Sequence, residues 1–430
     1  MERYNSYKDS GVKWLGEIPS HWEMNKAKYY FYSKKEIVGK DCMNYERLAL
    51  TLKGVIKRHD GDGIGLNPEK LDTYQIVEKN NLVFKLIDLE NYNTSRVGLT
   101  PFDGIVSPAY IRLVRKGNVN ERFFEYYYLN MWYRRIFNDL GAPGVRSNLS
   151  ANDLLNLWVI MPSLKEQDAI VSYIDTATAK IDAAIAQQQK MIDLLNERKQ
   201  IIINRAVTKG LNPNAKMKDS GVEWIGEVPE DWEVRRLGSL GAFFKGGNIS
   251  RDDLQEYGKC AILYGDIYTK YNIQTSIVKN RISEKVAEKS VRITKGDLIM
   301  TGSGETKEDI GKTIVYHGDE AFIGGDVILF RQQNNDSTFL SYALNSQYAK
   351  DFRYKESKGE IIVHIYASSL KRLFLALPPI EEQIKVVKYL DGQIDAIDSE
   401  IDVINKQISL LQERKQIIIN EVVTGKLRIL

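Results

Sequence analysis

The chain has 430 residues, of which 43% are hydrophobic and 27% charged, and this suits a globular protein of two to four domains. No apolar run is long enough to cross a bilayer and the polar first residues exclude a signal peptide, so we expect a cytoplasmic protein without a membrane partner. Two cysteines and four scattered histidines exclude a disulfide framework and give no metal-ligand spacing.

The formal net charge of +3 conceals an uneven distribution. Residues 25–160 hold 20 basic and 15 acidic side chains, and residues 235–376 hold 21 and 17. A basic excess confined to these two segments fits contact with a polyanion. An ordinary lysine-rich surface explains the charge equally well.

The chain is an internal duplication. The opening KDSGVKWLGEIPSHWE at Lys8–Glu23 returns as KDSGVEWIGEVPEDWE at Lys218–Glu233, and ERKQIIIN occurs unchanged at Glu197–Asn204 and Glu413–Asn420. A period of roughly 210 residues is far too long for a solenoid, so one unit is used twice. Each unit has a common opening, a private middle and a common closing segment, which predicts domains at 1–160, 161–210, 211–376 and 377–430.

The private middles alternate short β-rich runs with amphipathic helical pieces, and this pattern predicts an α+β module in each half. The β-rich runs are Lys79–Leu89, Gly104–Val114, Lys295–Gly304 and Gly324–Arg331. The helical pieces are Arg122–Phe137 and Ser337–Phe352. We expect the repeated tryptophans of the openings to pack against the module or the helices.

The closing segments predict long helices with the four-three apolar spacing of a coiled-coil seam. Ser163 and Glu166 form a capping box, and Pro378–Pro379 precedes the second helix. Each helix has about 40 residues, or on the order of 60 Å. The seam positions are Ile174, Ile181, Ile185, Ile192, Leu195, Ile394, Ile397, Ile401, Ile404, Ile408 and Leu411.

A long helix with one apolar stripe needs a partner, and its own repeat is the obvious candidate. Parallel pairing places the two modules side by side at one end. Antiparallel pairing places one module at each end and relates the halves by a pseudo-twofold axis. We favour the antiparallel form, an α+β protein in which a two-helix coiled coil separates two α/β modules.

Catalytic motifs are not evident. Gly304–Thr313 resembles a phosphate-binding loop, but six residues separate its glycines where four are required. Glu356–Lys358 matches a nuclease pattern too short to be specific, and the tetrapeptide by which amino-methyltransferases hold a flipped base does not occur. We therefore expect a binding protein with no catalytic residue and no metal site.

The closing segments begin MPSLKEQDAI at Met161–Ile170 and LPPIEEQIKV at Leu377–Val386. Together with the WxGExPxxW openings and GIVSPAY at Gly104–Tyr110, these segments resemble the specificity (S) subunits of Type I restriction–modification systems. The resemblance spans essentially the whole chain in the family's order of domains.

The resemblance implies that each module is a target-recognition domain reading half of a bipartite site in double-stranded DNA. The helix pair would set the unread gap and dock two methyltransferase subunits, and restriction subunits would complete the complex. S-adenosylmethionine, ATP and Mg would bind on those partners, which carry adenine methylation and ATP-dependent cleavage. Two alternatives remain, namely a stand-alone enzyme that modifies or cleaves DNA and a coiled-coil scaffold without DNA function.

Polar and basic loops of the middles supply the candidate DNA contacts, because Arg and Asn read base edges whereas Lys more often neutralises phosphate. An ordinary surface or packing role is at least as probable for each. The candidates are Lys53, Lys57, Arg58, Asn93, Ser95, Arg96, Arg146, Asn148, Tyr264, Asp266, Tyr268, Lys270, Thr301, Ser303, Thr306, Lys307, Lys355, Lys358, His364 and Tyr366.

Overall fold

Two compact units make up the computed structural model, which describes residues 2–59, 70–89, 95–141 and 148–429. Unit 1 comprises residues 1–188 and 405–430, and unit 2 comprises residues 189–404. Both units share the two long helices, Leu164–Lys209 and Ile380–Val423. Within the described residues, no helix combines the length and apolar character that a membrane crossing needs.

Unit 1 is built on a four-stranded antiparallel sheet in the order Phe31–Tyr32, Ile111–Arg115, Leu82–Phe84 and Val97–Leu99. Four two-stranded pairs surround it, namely Tyr7–Asp9 with Glu17–Pro19, Leu48–Thr51 with Gly54–Lys57, Gln75–Val77 with Gly104–Val106, and Glu23–Lys26 with Trp158–Met161. Its short helices are Ala27–Tyr29, Gly39–Asn44, Glu121–Tyr133, Ile136–Leu140 and Ala151–Asn156.

The core of unit 1 is centred on the aromatic helix Glu121–Tyr133. The Asn120 side chain caps this helix by accepting hydrogen bonds from two backbone amides of its first turn. The sequence predicts one continuous helix to Phe137, but the structure interrupts it. Arg135 has a left-handed φ of 58°, a conformation that cannot continue a right-handed helix.

Unit 2 contains two five-stranded mixed sheets. The first runs Gly241–Lys245, Val327–Gln332, Leu298–Thr301, Thr313–Tyr316 and Gln274–Thr275, and its last pair is parallel. The second runs Leu254–Gln255, Asn280–Ile282, Lys259–Ile262, Glu320–Ile323 and Val291–Thr294, with a parallel pair between its third and fourth strands. Three pairs complete the unit, namely Met217–Asp219 with Glu227–Pro229, Glu233–Arg236 with Phe374–Leu377, and Ser303–Gly304 with Val363–His364.

The helices of unit 2 lie against these sheets and the long helices. The predicted helix over Ser337–Phe352 is instead two helices, Ser337–Leu344 and Gln347–Glu356, with Asn345 and Ser346 between them. The shorter helices are Leu237–Ser239, Arg251–Asp253, Tyr264–Thr269, Glu284–Ala287 and Ala367–Leu370. One core cluster joins this module to both long helices through side chains such as Ile203 and Leu390.

Within each unit the two long helices run antiparallel. Asp182 pairs with Lys415 in unit 1 at 2.7 Å between Oδ1 and Nζ, and Lys199 pairs with Asp398 in unit 2. In unit 1, Gln188 also donates to Gln407 at 3.0 Å, and in unit 2 a Cβ at Gly210, directly after the first long helix, would lie 2.9 Å from a Glu382 oxygen. Within each unit, partner numbers therefore rise on one helix as they fall on the other, which fixes the direction. The second ion pair is the image of the first under the sequence repeat, so each unit uses the same registration.

The seam positions predicted from the sequence fall into two groups. Seven are buried, namely Ile174, Ile181, Ile192, Leu195, Ile394, Ile397 and Ile404. Four are half-buried, namely Ile185, Ile401, Ile408 and Leu411. Within each unit the two helices therefore pack along this stripe.

Candidate nucleic-acid interface

Equivalent contacts fasten each module to a long helix, and the duplicated residues supply them. In unit 1, the Ser163–Glu166 capping box forms as the sequence predicts, with Ser163 Oγ donating to Glu166 Oε2 at 2.8 Å. The other oxygen of Glu166 accepts hydrogen bonds from the Trp22 indole at 3.2 Å and from His21 at 2.8 Å. Burial raises the pKa of Glu166, but these hydrogen bonds outweigh it and lower the pKa below its usual value.

Gln167 and Asp175 extend this contact in unit 1. Gln167 is 1% exposed, accepts a hydrogen bond from the Asn120 amide at 2.9 Å and donates to the Pro162 carbonyl at 2.9 Å. Asp175 accepts a hydrogen bond from the Tyr126 hydroxyl and pairs with Arg122 at 3.0 Å. Burial and the Asp175 carboxylate raise the pKa of Tyr126, so its hydroxyl stays a donor.

Unit 2 repeats the arrangement. The Trp232 indole donates to Glu382 at 3.1 Å, and Gln383 accepts from the Asp336 amide at 2.8 Å while donating to the Pro378 carbonyl at 2.9 Å. Asp391 accepts a hydrogen bond from the Tyr342 hydroxyl at 2.7 Å. We call these contacts the module clamp. They use the repeated Glu, Gln and Asp of each helix start and hold each module at a defined orientation to its helix.

The repeated tryptophans divide between two environments. Trp22 and Trp232 are buried in the clamps, as the sequence predicts. Trp224 is 45% exposed, although it contacts the Phe352 ring at a centroid distance of 6.1 Å. The packing prediction is therefore correct for the second tryptophan of each opening and incomplete for the first one in unit 2.

One hairpin of unit 1 carries three of the candidate DNA contacts. Lys53 lies exposed in the turn between Leu48–Thr51 and Gly54–Lys57, where its amide donates to the Thr51 hydroxyl at 3.1 Å. Lys57 lies 5.2 Å above the Phe102 ring and 3.7 Å from a Glu46 oxygen. Arg58 follows directly and is half-buried. Lys57 and Arg58 are therefore neighbours at the open end of the hairpin, and Lys53 lies at its turn.

Ser95 and Arg96 are interior residues, unlike the exposed loop positions that the sequence predicts. Ser95 is 2% exposed and its hydroxyl donates to the Val97 carbonyl at 2.7 Å. Arg96 is 1% exposed and donates to the carbonyls of Ile87 and Asp88 at 3.2 and 2.6 Å. A polar stretch of sequence does not distinguish a surface loop from one whose side chains satisfy buried carbonyls.

The remaining candidates of unit 1 are less informative. Asn93 and Arg146 lie outside the described residues. Asn148 is exposed and precedes the helix Ala151–Asn156.

The helix Tyr264–Thr269 places three candidates of unit 2. Asp266 is 6% exposed, accepts hydrogen bonds from the Leu263 amide at 2.9 Å and from Asn280 at 2.7 Å, and pairs with Lys270 at 2.6 Å. The Asp266 carboxylate thus caps its own helix rather than facing outward. Tyr264 is 41% exposed at the helix start.

Five more candidates come together in unit 2, and we call them the reader cluster: Tyr268, Thr301, Ser303, His364 and Tyr366. The Tyr268 hydroxyl donates to Thr301 Oγ1 at 2.7 Å, and Ser303 Oγ lies 2.8 Å from His364 Nδ1. The rings of His364 and Tyr366 stack at 6.5 Å, and Tyr366 is 55% exposed. Burial raises the pKa of Tyr268, so its hydroxyl remains protonated.

The reader cluster has a buried polar floor and an exposed aromatic and imidazole edge. Thr301 and Ser303 are 0% and 4% exposed, whereas His364 is half-buried. A Cβ at Gly304 would lie 2.7 Å from the Tyr268 hydroxyl, so only glycine permits this approach without displacement. An arrangement of this kind presents hydrogen-bonding and stacking groups from an ordered support.

Exposed lysines flank the reader cluster in sequence. Lys355 and Lys358 are exposed, and Lys307 lies 6.0 Å from the Tyr354 ring centroid, next to the exposed Thr306. The acidic neighbour Glu356 forms an ion pair with Arg372. The lysines therefore suit neutralisation of phosphate charges. Among the described residues, no group of His, Cys, Asp and Glu could hold a metal ion.

Residues that the sequence reasoning missed form a second apolar stripe on the long helices. Leu194 and Ile201 in unit 2 are 50% and 59% exposed, and Leu410 and Ile417 in unit 1 are 64% and 47% exposed. Members of each pair are seven positions apart, so they lie on one helix face. The sequence signal is an apolar residue one position before a seam residue, as with Leu194 before Leu195 and Leu410 before Leu411.

Comparisons with known proteins agree with this architecture. The family model for the type I restriction modification DNA specificity domain matches residues 16–192 and 229–410. The MjaVIII specificity subunit of Methanocaldococcus jannaschii is 24% identical over 440 residues, covering 98% of this chain and 97% of that protein. The EcoBI specificity subunit of Escherichia coli is 23% identical over 299 residues, covering 65% of this chain and 60% of that protein.

A solved structure shows the same fold. It comes from work on complex assembly and conformational transition of the type I R-M system, and it aligns with a TM-score of 0.67 at 15% sequence identity. The alignment covers 95% of this chain and 99% of that one.

Proposed function

This chain belongs to the type I restriction modification DNA specificity domain family, and on that premise we propose that it is the DNA-reading subunit of a type I restriction–modification complex. Residues 1–160 and 211–376 are its target-recognition domains, and each reads one half of a bipartite site in double-stranded DNA. Residues 161–210 and 377–430 form an antiparallel, pseudo-twofold coiled coil that sets the length of the unread gap.

The main observation behind this proposal is that the two clamps share their contacts, whereas the candidate surfaces of the two modules differ. The same Trp–Glu, Gln–amide and Tyr–Asp contacts hold both modules. The candidate residues differ, because those of unit 1 include a basic hairpin whereas those of unit 2 form the reader cluster. Two modules that read unrelated half-sites need the same attachment to the helices but different recognition surfaces.

Docking of methyltransferase subunits is supported by the second apolar stripe. Leu194 and Ile201 recur after 216 positions as Leu410 and Ile417, so each unit offers one equivalent patch. Two equivalent patches suit two methyltransferase subunits, whose own apolar helices would cover side chains now facing water. Restriction subunits complete the complex through those partners.

The chain itself has no catalytic role in this proposal, and S-adenosylmethionine, ATP and Mg bind on the partners. Two motifs that could suggest otherwise are engaged in other contacts. Lys312, in the glycine-rich loop, donates to the carbonyls of Tyr271 and Tyr268 at 2.7 and 3.3 Å. Glu356, in the nuclease-like triplet, pairs with Arg372.

Methylome mapping tests the proposal. Co-expression with the methyltransferase subunit of the same system should produce adenine methylation at one bipartite motif with a fixed gap. A contiguous motif, or none, contradicts two-module reading. Methylation or cleavage by the purified chain alone favours a stand-alone enzyme instead.

Salt dependence separates a DNA reader from a scaffold. Each lysine that neutralises a phosphate contributes about one unit to the slope of log affinity against log salt. Lys358→Ala should lower this slope by about one, and Lys289→Ala, which removes another exposed lysine of unit 2, should leave it unchanged. Weak binding that is insensitive to salt contradicts the proposal.

A further inference from the structure

A short hairpin, Lys358–His364, projects from unit 2 next to the reader cluster, and we call it the isoleucine finger. Its base is closed by two backbone hydrogen bonds between Lys358 and His364, at 2.9 and 2.7 Å. The strand Val363–His364 also pairs with Ser303–Gly304, and the Ser303 hydroxyl contacts the His364 ring. The finger is therefore anchored to the body of the module.

The turn of the finger depends on one glycine. Gly359 has a φ of +106°, and a Cβ there would lie 2.1 Å from the Ile362 carbonyl oxygen. Any other residue would strain the turn and displace its far side. This turn presents Ile361 and Ile362 to solvent, where they are 90% and 58% exposed. By contrast, Val363 and Ile365 beyond them are each 2% exposed.

The charge around the finger indicates what its tip meets. Lys355 and Lys358 are exposed beside it, and the Glu356 carboxylate between them is engaged by Arg372. Glu360 is the acidic residue of the finger itself. An apolar tip with a cationic base matches a DNA duplex, which has a phosphate exterior and an apolar base stack.

We propose that Ile361 and Ile362 form a wedge that enters a groove of the half-site read by unit 2 and partly unstacks one base step. This inference rests on the proposed function and adds a mode of recognition to it. Apolar wedges of this kind kink a duplex by roughly 20–90°. The energy of unstacking depends on the step, so the finger favours deformable pyrimidine–purine steps without hydrogen-bonding to their bases.

The test uses the complex of the full chain with its methyltransferase subunits, on a duplex carrying the methylome-mapped site. Bending is measured by energy transfer between fluorophores at the duplex ends, and unstacking by permanganate reactivity of thymines. The variant is the double substitution Ile361→Ala and Ile362→Ala. Its matched control is Ile277→Ala, which truncates another exposed isoleucine of unit 2, one with 71% exposure.

Wild type and control should bend the site, and the double variant should lose at least half of the bend and bind roughly tenfold more weakly. The salt slope should stay the same, because no phosphate contact is removed. Ile361→Leu should retain the bend, which separates loss of the wedge from loss of folding. Base flipping by the methyltransferase is common to all variants and cancels in the comparison.

Three results overturn the inference. An unchanged bend in the double variant refutes the wedge while leaving the proposed function intact. Loss of methyltransferase subunits from the double variant, seen by mass measurement without DNA, assigns the finger to a protein partner instead. Failure of the wild-type complex to bind any mapped site removes the proposed function, and the wedge with it.

Discussion

Replacement of Gln383 by leucine tests whether the clamp fixes a module to its helix. Gln383 is 2% exposed and lies at the first turn of the second long helix. Its carbonyl accepts from the Asp336 amide at 2.8 Å, which is the amide at the start of Ser337–Leu344, and its amide donates to the Pro378 carbonyl at 2.9 Å. Leucine has a similar volume, so the substitution mainly removes these two hydrogen bonds and the one that the Gln383 amide also donates to Asn335 Oδ1 at 3.1 Å.

The expected cost follows from the two backbone groups that lose this partner in the interior. Each unsatisfied buried group costs about 1–3 kcal/mol, so Gln383→Leu should destabilise the contact by about 2–6 kcal/mol. At the lower end this corresponds to roughly a 30-fold increase in the population of locally open states. Gln167→Leu makes the equivalent change in unit 1, because Gln167 bridges the Asn120 amide and the Pro162 carbonyl.

Amide hydrogen exchange, followed by mass spectrometry, measures the effect separately in each unit. Gln383→Leu should accelerate exchange in peptides covering Ser337–Leu344, and Gln167→Leu in peptides covering Glu121–Tyr133. Gln412→Leu, at an exposed helix position, is the control and should change neither. If the two clamp variants behave like Gln412→Leu, the clamp does not hold the modules and our reasoning is refuted.

Three further predictions concern the clamps and the paired long helices. The pKa of Glu166 is lowered in the folded state, so the stabilising contribution of its carboxylate is present at neutral pH and is lost as the pH falls through that pKa. The Tm difference between wild type and Glu166→Gln should therefore shrink below about pH 4. A Tm difference that stays constant with pH would contradict this. Tyr342→Phe removes a hydrogen bond to the Asp391 carboxylate and should lower the unfolding free energy of unit 2 by about 1.5–3 kcal/mol, measured by hydrogen exchange. A change under about 0.5 kcal/mol would mean that water replaces the hydroxyl. A double-mutant cycle on Asp182 and Lys415 should give a coupling energy below about 1 kcal/mol that vanishes in 1 M salt, because the ion pair is partly exposed. A coupling energy that persists in salt would show a stronger, desolvated pair.

Much of the structure of the long helices and their starts could be predicted from the sequence, because the duplication repeats each sequence signal in both halves. The apolar spacing of the long helices, the Ser163–Glu166 capping box and the recurrence of Gln and Asp at the helix starts are local patterns with a direct structural meaning. Antiparallel pairing within each unit is also as expected. The sequence does not reveal why the Gln recurs, since its partner amides lie 47 residues away in each module.

The candidate interface was less predictable, for a physical reason. Loop polarity alone does not tell whether a side chain faces solvent or satisfies an interior carbonyl. Arg96 and Asp266 read as surface residues, yet both are buried in hydrogen-bond networks. Ile361 and Ile362 are not among the candidates, yet the turn at Gly359 presents them to solvent. These outcomes depend on contacts between segments distant in sequence, which no local pattern encodes.

The two clamps are not identical, and one of their differences indicates which contacts are needed to hold a module in place. Arg122 and Glu125 add ion pairs around Asp175 in unit 1, but the equivalent positions in unit 2 are Thr338 and Ser341. The hydroxyl-to-carboxylate contact is present in both units, whereas the ion pairs are not. Partly exposed ion pairs contribute little stability, so a module can lose them while its orientation is retained. The requirement for orientation thus falls on a few short hydrogen bonds, and the rest of each module is free to diverge in sequence.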